Sequence, residues 1–172
     1  SGNRKNLEVD FFGGEPLMNW NVVKELVAYG RSQEKIHNKH FRFTLTTNGV
    51  LLDDDIMEFA NEEMDNVVLS IDGRKEVHDF MRPFRKGKGS YDLVVPKFQK
   101  FADSRGQQKY YARGTFTHHN LDFSEDVLHL ADLGFVVGGN VTVISSYSGN
   151  VIVNVKGARI AISEGMAQKI FV

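Results

Sequence analysis

The sequence predicts an α/β fold built on a parallel sheet, followed by a small antiparallel β appendage. Over the first 135 residues, four short β-rich runs alternate with helical patterns, and glycine-rich polar turns recur where these runs end. After residue 135, apolar and polar residues alternate with no helical pattern between the runs. Repeated strand, helix, strand order is typical of right-handed parallel crossovers, whereas uninterrupted alternation is typical of antiparallel strands.

Composition excludes several classes of function. The chain of 172 residues has a net charge of −1, which provides no long-range attraction for nucleic acid. No apolar stretch approaches the roughly 20 residues of a membrane span, and the polar first six residues lack a signal-peptide pattern, so we expect a cytoplasmic protein. The absence of cysteine excludes disulfides and thiolate ligation of an iron-sulfur cluster by this chain.

The β-rich runs predict four parallel strands. They are Leu7 to Phe12, Phe41 to Thr46, Val67 to Ile71 and Tyr110 to Thr117. Their apolar and β-branched content suits strands that are covered on both faces. The open edges at both ends of such a sheet predict dimerisation or aggregation.

Helical spacing between the strands predicts the crossovers. The first helix has a buried face at Val23, Leu26, Val27 and Gly30, with a cap at Asn19 or Asn21. The second is capped by Asp53 or Asp54 and buries Ile56, Phe59, Ala60 and Met64.

The third crossover begins with a loop rich in Arg, Lys and Gly. Its helix starts at Ser90 and buries Leu93, Val94, Phe98, Phe101 and Ala102, with Pro96 near the first turns. A last helix is capped by Ser124, presents Val127, Leu130 and Ala131 to the core, and ends at Gly134.

The pattern changes near Phe135. Alternating residues predict antiparallel strands at Val141, Val143, Val151, Val153, Val155, Ile160 and Ile162. Turns are predicted at residues 148–150 and 156–158. We therefore divide the chain into residues 1–135 and 136–172, although no linker composition marks the boundary.

Polar motifs follow the predicted strands and indicate a binding site. They are Gly13-Gly14-Glu15-Pro16, Thr46-Thr47-Asn48-Gly49, Ser70-Ile71-Asp72-Gly73, and Arg113 in the fourth strand. Each alone is also explained as turn chemistry. The carboxyl ends of parallel strands meet at one edge of the sheet, where α/β folds bind ligands, so their joint recurrence favours a site. Glycines there allow close approach to the backbone, and Glu15 suits a ligand ammonium.

Other polar clusters indicate less. His37 with His40, and His118 with His119, lack a third ligand at metal-like spacing, so we expect no metal site. The basic run from Arg82 to Lys88 suits an acidic peptide, although a solvated crossover loop is the more common explanation of such a run.

Together, the four motifs resemble the radical S-adenosylmethionine (SAM) superfamily. Val77-His78-Asp79 with Arg82-Pro83, the turn from Gly87 to Tyr91, and the run from Arg113 to Thr117 resemble SPASM-type peptide maturases, especially the six-cysteine-peptide (SCIFF) thioether maturases. The resemblance covers about residues 1–135. It implies a partial (β/α) barrel and a fragment of an enzyme in which a [4Fe-4S] cluster cleaves SAM to a 5′-deoxyadenosyl radical, with thioether formation in a Cys-rich precursor peptide.

The resemblance also implies residue roles. Gly13, Gly14, Glu15 and Pro16 would hold the SAM ammonium, Ser70 and Asp72 the ribose hydroxyls, and Arg113 the methionyl carboxylate. Asn48 would be a further cofactor-binding residue, with shaping the turn as the alternative. His78, Asp79 and Arg82 would lie near the peptide substrate. No residue is predicted to be catalytic. Because the chain has no cysteine to hold the cluster, we expect no turnover by this chain alone.

The C-terminal residues carry a second resemblance. The runs Leu130 to Phe135, Val155 to Ile162 and Ala167 to Val172 resemble FeoA domains, small SH3-like barrels accessory to ferrous iron transport. This resemblance covers about residues 130–172 and implies interaction rather than catalysis. It supports an alternative function, a non-catalytic interaction module whose tail binds a protein partner.

Overall fold

The computed structural model describes residues 2–106, 108–115, 117, 120–133, 141–147, 150–155 and 158–163. Seven strands are described: β1 Asn6–Phe11, β2 His40–Thr47, β3 Asn66–Ser70, β4 Lys109–Arg113, β5 Val141–Tyr147, β6 Asn150–Val155 and β7 Ala158–Ser163. Five α-helices are described: α1 Trp20–His37, α2 Asp54–Glu63, α3 Lys75–Met81, α4 Tyr91–Ser104 and α5 Phe123–Asp132. A 3-10 helix, Pro16–Asn19, precedes α1.

The first four strands form a parallel sheet in the order β1-β2-β3-β4. Phe11 pairs with Leu45, Leu45 with Val67, and Val67 with Tyr110, so the strands run in register towards one carboxyl edge. This arrangement confirms the predicted α/β fold. It also places the ends of all four strands, and therefore the turns that follow them, along the same edge of the sheet.

The helix α1 crosses from β1 to β2 and lies close to the sheet. Val23 and Val27 are buried, and a Cβ added to Gly30 would come 2.8 Å from Cζ of Phe43, which shows how closely the helix approaches. The prediction that Leu26 is buried was wrong: it is 50% exposed, because only a narrow stripe of α1 faces the sheet. Asn19 is the N-cap residue, but its side chain makes no capping bond. Within the described part of the chain, no helix is long and apolar enough to cross a membrane.

The helices α2 and α4 supply much of the core. Asp53 caps α2 by accepting a hydrogen bond from the Ile56 N–H, as predicted. From α4, Val94, Phe98 and Phe101 are fully buried despite Pro96 inside the helix. The prediction that Leu93 is buried was wrong, since it is 42% exposed.

Two features of the crossovers differ from the sequence predictions. The residues after β3 include the seven-residue helix α3, where the sequence predicted only a loop. The helix α5 begins at Phe123 after the N-cap residue Asp122, so the predicted cap, Ser124, lies inside the helix. Leu130 of α5 is buried in the core of the parallel sheet, as predicted.

The C-terminal strands form a separate antiparallel sheet in the order β5-β6-β7. This confirms the predicted change from parallel to antiparallel pairing after residue 135. The register of β5 against β6 shifts between Val143 and Ser145. The predicted helix end at Gly134 and the turn residues 148–149 and 156–157 lie outside the described residues.

Candidate functional site

A cavity of about 250 Å³ opens at the carboxyl edge of the parallel sheet. Its lining comes from the ends of β2, β3 and β4, from the residues that follow β1, β2 and β4, and from one residue directly after α3. These residues are Phe12, Gly13, Gly14, Glu15, Thr46, Thr47, Asn48, Ser70, Arg82, Arg113 and Thr115. All four predicted motifs therefore contribute to one site. The parallel register of the strands brings them together, although they are separated by up to about 100 residues of sequence.

The glycine pair presents bare backbone to this cavity. Gly13 and Gly14 have φ angles of +99° and +56°, and a Cβ on either would meet no atom within 4 Å. These left-handed conformations favour glycine, while the surrounding space leaves room for a ligand. Beside them, Phe12 is 64% exposed, and the guanidinium of Arg113 lies 5.2 Å from the centre of its ring. This cation-π contact holds an arginine at the mouth of the cavity.

Glu15 connects the turn after β1 to the end of β2. Its Oε1 accepts hydrogen bonds from the Thr47 hydroxyl at 2.8 Å and from the Leu17 N–H at 3.2 Å, and its Oε2 accepts one from the Asn48 N–H at 2.7 Å. Three donors therefore fix the carboxylate, and two of them belong to the Thr-Thr-Asn-Gly motif. A carboxylate has more lone pairs than these bonds use, so it can still accept a bond from a ligand cation.

The turn after β2 is shaped by its own side chains. The hydroxyl of Thr47 accepts from the Gly49 N–H at 3.0 Å, and Oδ1 of Asn48 accepts from the Val50 N–H at 3.0 Å. The second bond is an Asx turn, a local structure for which asparagine is well suited. Asn48 therefore shapes the rim of the cavity as well as lining it.

Asp72 lies behind the cavity wall. Its side chain is 1% exposed and accepts two bonds from Arg82, Nε to Oδ2 at 2.6 Å and Nη2 to Oδ1 at 3.1 Å. Its Oδ1 also accepts from the Thr115 N–H at 2.7 Å. Both of these partners line the cavity, so the carboxylate supports the wall through them.

Only some of the charged side chains around the cavity have a partner of opposite charge among the described residues. The carboxylate of Asp72 pairs with Arg82, whereas no carboxylate within salt-bridge distance of Arg113 is found among the described residues. Glu15 is held by neutral donors rather than by a cation. One uncompensated negative charge and one uncompensated positive charge therefore line the same cavity, a combination that suits a zwitterion such as an α-amino acid group.

The structure brings most of the predicted site residues together. Among the predicted cofactor residues, the cavity is lined by Gly13, Gly14, Glu15, Asn48, Ser70 and Arg113. Arg82, predicted near the peptide substrate, lines the same cavity. The roles assigned to these residues stay predictions.

Four predicted site residues lie outside the cavity lining. Pro16 begins the 3-10 helix, and Asp72 lies behind the wall. His78 is fully buried, and Asp79 accepts a hydrogen bond from the Tyr91 N–H at 2.8 Å. A buried imidazole such as that of His78 is placed to brace the fold rather than to meet a peptide at the surface.

Sequence reasoning missed Phe12 and Thr115 as lining residues. Phe12 ends the apolar run of the first strand, so it was interpreted as part of that strand, although it lies one residue beyond β1 and is exposed. Thr115 belongs to a motif that was noted for Arg113 alone. Its position two residues after a strand end is the signal that could have identified it.

No group of three metal-binding side chains occurs among the residues that the structure describes. His37 is exposed on α1, and Nδ1 of His40 lies 3.5 Å from the carboxylate of Glu34. His118 and His119 lie outside the described residues. The sequence contains no cysteine, so this chain offers no thiolate to an iron-sulfur cluster.

Two family models match the chain. Residues 3–131 match the radical SAM superfamily. The chain belongs to this superfamily. Residues 121–172 match the FeoA domain, so the two matches overlap over most of α5.

Curated relatives include a radical SAM cyclopropyl synthase and a sulfatase-maturating enzyme. The chain is 23% identical over 158 residues to the radical SAM cyclopropyl synthase TigE of Paramaledivibacter caminithermalis, which covers 88% of this chain and 32% of the relative. It is 29% identical over 92 residues to a cysteine-type anaerobic sulfatase-maturating enzyme of Clostridium novyi, 53% of this chain and 24% of the relative. An uncharacterised protein of Methanocaldococcus jannaschii is 34% identical over 84 residues, 49% of this chain and 28% of the relative. The chain thus spans no more than about a third of these relatives.

Solved structures share the fold. The chain is similar to native anSMEcpe with bound AdoMet, with a TM-score of 0.70 and 20% identity, over 78% of this chain and 36% of that one. The same enzyme with bound AdoMet and a peptide gives a TM-score of 0.69 and 21% identity, over 77% and 36%. The α/β part of the chain therefore has the same fold as anSMEcpe.

Proposed function

We propose that this chain forms the SAM-binding part of a radical SAM peptide maturase. The observation that carries the proposal is the cavity at the carboxyl edge of the sheet, where bare glycine backbone meets a carboxylate and a guanidinium that have no oppositely charged partner among the described residues. The amino acid portion of SAM carries an ammonium and a carboxylate, so both of its charges have a partner of opposite sign there.

The proposed contacts follow the charges. Glu15 and the backbone of Gly13 and Gly14 receive the ammonium, and Arg113 receives the carboxylate, for which a guanidinium is geometrically suited. Ser70, which is 7% exposed and lines the cavity, offers its hydroxyl to the ribose. Asp72 acts on the ligand indirectly, through its bonds to Arg82 and Thr115, because it is 1% exposed and does not itself line the cavity.

The residues of this chain fit SAM but do not fit a [4Fe-4S] cluster. Such clusters are held by cysteine thiolates, and the sequence has none. In radical SAM enzymes the reduced cluster supplies the electron that cleaves SAM to a 5′-deoxyadenosyl radical. We therefore propose that this chain binds and orients SAM and that it does not turn SAM over by itself.

The proposed substrate is a Cys-rich precursor peptide in which a thioether is formed. Support comes from the motif resemblance to thioether maturases and from relatives whose names describe maturation of a protein or cyclopropyl synthesis. The basic residues Arg85, Lys86 and Lys88 are exposed on the segment after Arg82 and would favour an acidic stretch of that peptide.

Calorimetric titration with SAM tests the proposal. We expect binding by the wild-type chain and at least about tenfold weaker binding by Arg113→Gln, because a charged hydrogen bond to the carboxylate is lost. Arg42→Gln is the matched control: Arg42 is a partly exposed strand arginine whose pairs with Glu8 and Asp65 are long, and it does not line the cavity. Absence of SAM binding by the wild type, or equal loss in both variants, would contradict the proposal.

A second candidate function is a non-catalytic interaction module linked to ferrous iron transport. The FeoA match over residues 121–172 and the antiparallel sheet β5-β6-β7 favour it. We place the boundary between the modules near residue 135, because α5 packs with the elements of the parallel sheet. Leu130 of α5 lies in the hydrophobic core of that part, and Asp126 of α5 is bonded to Arg74, which follows β3. Affinity capture with the chain and with a variant lacking residues 136–172 tests this candidate. Retention of every partner by the shortened chain would count against it.

A further inference from the structure

Four residues between β3 and α4 form a closed ring of hydrogen bonds. The N–H of Asp72 donates to Nδ1 of His78 at 3.3 Å, and Nε2 of His78 lies 3.1 Å from Oγ of Ser90. The Ser90 hydroxyl donates to the carbonyl of Arg82 at 2.6 Å, and the Arg82 guanidinium donates back to the Asp72 carboxylate. The ring therefore joins the start and the end of the segment that contains α3.

The ring requires one tautomer of His78. Because Nδ1 accepts the Asp72 N–H, it carries no proton, and the neutral ring must then carry its proton on Nε2. The hydroxyl of Ser90 has a single hydrogen, which goes to the Arg82 carbonyl, so Ser90 must accept the Nε2 proton. Every donor in the ring thus has an acceptor only when His78 is neutral and protonated at Nε2.

Burial makes this arrangement firm. His78 is 0% exposed and Ser90 is 4% exposed, so neither can exchange its partner for water without opening the fold. A buried polar group that loses its partner costs more than the bond itself contributes. Burial also lowers the pKa of His78, which keeps the imidazole neutral.

Within the ring, Arg82 is the residue that lines the ligand cavity. Arg82 directly follows α3, a helix of seven residues that is too short to be rigid without tertiary contacts. Its Nε and Nη2 atoms are bonded to Asp72, which leaves Nη1 for another acceptor. The backbone of Arg82 is held by Ser90 and its side chain by Asp72, so both ends of a long side chain are constrained.

We infer that His78 and Ser90 are positioning residues that hold the Arg82 guanidinium in the wall of the cavity, where its remaining N–H donors can bond a neutral oxygen or nitrogen acceptor of the ligand. The inference rests on the proposed SAM site. The sequence predicts that His78 lies near the peptide substrate. The inference instead gives His78 an indirect role, through Arg82. A guanidinium that is held in place loses less conformational entropy when it bonds a ligand than one that is free.

Protonation of His78 breaks the ring. A proton on Nδ1 removes the acceptor of the Asp72 N–H and adds a positive charge near Arg82. The charged groups that act on the imidazole are Asp72, Arg82 and Asp79, and the Tyr91 ring lies edge-on to it at 5.8 Å. Because burial lowers the pKa of His78 in the folded chain, we expect ligand binding to weaken only as pH falls well below the ordinary histidine value of about 6.5.

Titration with SAM tests the inference on the full chain. We expect Ser90→Ala to weaken SAM binding about threefold to tenfold, because one bond of the ring is lost, and Ser90→Thr to restore it, because threonine keeps the hydroxyl. Arg82→Gln should weaken binding at least as much as Ser90→Ala. The matched control is His129→Gln, which removes an imidazole bonded to the Tyr91 hydroxyl at 2.5 Å and outside the ring.

The pH dependence provides a readout that a purely structural role would not change. Between pH 7.5 and the lowest pH at which both chains remain folded by circular dichroism, we expect wild-type SAM binding to weaken relative to His78→Gln, whose amide does not titrate. The inference would be overturned if Ser90→Ala bound SAM as tightly as the wild type and His78→Gln showed the same pH profile as the wild type. The proposed function would still stand in that case. If Ser90→Ala does not fold, the pH comparison decides alone. No SAM binding by the wild type would overturn both proposals.

Discussion

Gly49 lies directly against the ring of Phe98: a Cβ at this glycine would come 2.2 Å from Cε1 of that ring. Gly49 also has a φ of +76°, a conformation that favours glycine. We expect Gly49→Ala to reduce the free energy of unfolding by about 3 kcal/mol or more, from backbone strain and overpacking together. Denaturant unfolding monitored by circular dichroism measures the effect.

Gly87 provides the matched control for that substitution. Its φ is +75°, almost the same, but no atom lies within 4 Å of a Cβ placed there. Gly87→Ala should therefore cost only the backbone term, about 1 kcal/mol. Equal losses in the two variants would contradict the conclusion that Phe98 fixes residue 49 as glycine.

Arg105 is expected to be one of the most sensitive positions for stability. It is 2% exposed, and its guanidinium donates to the carbonyls of Ala60, Met64 and Lys109 at 2.8, 3.1 and 2.7 Å. The carbonyls of Ala60 and Met64 lie at the C-terminal end of α2, so Arg105 supplies hydrogen-bond donors to the end of that helix. Arg105→Met should lower the free energy of unfolding by about 3 kcal/mol, because buried carbonyls lose their donors. The exposed variant Arg85→Met should change it by less than about 0.5 kcal/mol, and a similar loss in both would show that the carbonyl bonds are unimportant.

The attachment of α5 to the end of β3 depends on one buried carboxylate. Oδ1 of Asp126, which is 0% exposed, accepts from N and Nε of Arg74 at 3.0 and 2.8 Å. These bonds raise the pKa of Arg74. We expect Asp126→Ala to lower the free energy of unfolding by about 2 kcal/mol, because the partly buried Arg74 loses two hydrogen bonds to a charged acceptor.

Glu125 serves as the comparison for Asp126. It bonds the same guanidinium at 2.6 Å, but its side chain is 61% exposed. Exposed ion pairs contribute little, so Glu125→Ala should change the free energy of unfolding by less than about 0.5 kcal/mol. Chemical denaturation of both variants at the same salt concentration measures the difference, and the reverse order would refute the assignment.

The lowered pKa of His78 predicts a loss of stability in mild acid. The unfolded chain binds a proton at this histidine more tightly than the folded chain, so the stabilisation is complete above about pH 6.5 and declines as pH falls towards the folded pKa. The free energy of unfolding of the wild type should therefore fall more steeply between pH 6.5 and 5 than that of His78→Gln. His37→Gln, which changes an exposed histidine, should retain the wild-type slope. Parallel curves for the wild type and His78→Gln would rule out this effect.

The parallel strands and the cavity could be predicted because their signals are local. Short β-rich runs followed by glycine and polar residues identify strand ends, and the rule that ligands bind at the carboxyl edge then joins them. Gly13, Asn48, Ser70 and Arg113 were placed in one site on this basis, and all four line the cavity. Helical spacing likewise identified Val94, Phe98 and Phe101 as core residues.

The errors arose where tertiary contacts decide the outcome. Leu26 fits a helical apolar face, but the close approach of Gly30 to Phe43 narrows the contact between α1 and the sheet. The helix predicted to start at Ser90 begins at Tyr91, and the Ser90 hydroxyl bonds the Arg82 carbonyl, a contact that sequence spacing cannot reveal. The short helix α3 has too few residues for its period to be distinguished from a loop.

Asp72 also limits how ligand preference can change during evolution. Its carboxylate bonds Arg82 and Thr115, so three separate segments of the chain meet at one side chain. A substitution there would alter ligand recognition and folding together, and selection would act on both at once. Positions such as Phe12, whose side chain is largely exposed and whose cavity contact does not support the core, can vary independently. New ligand preferences should therefore arise first at the rim of this cavity and last at Asp72.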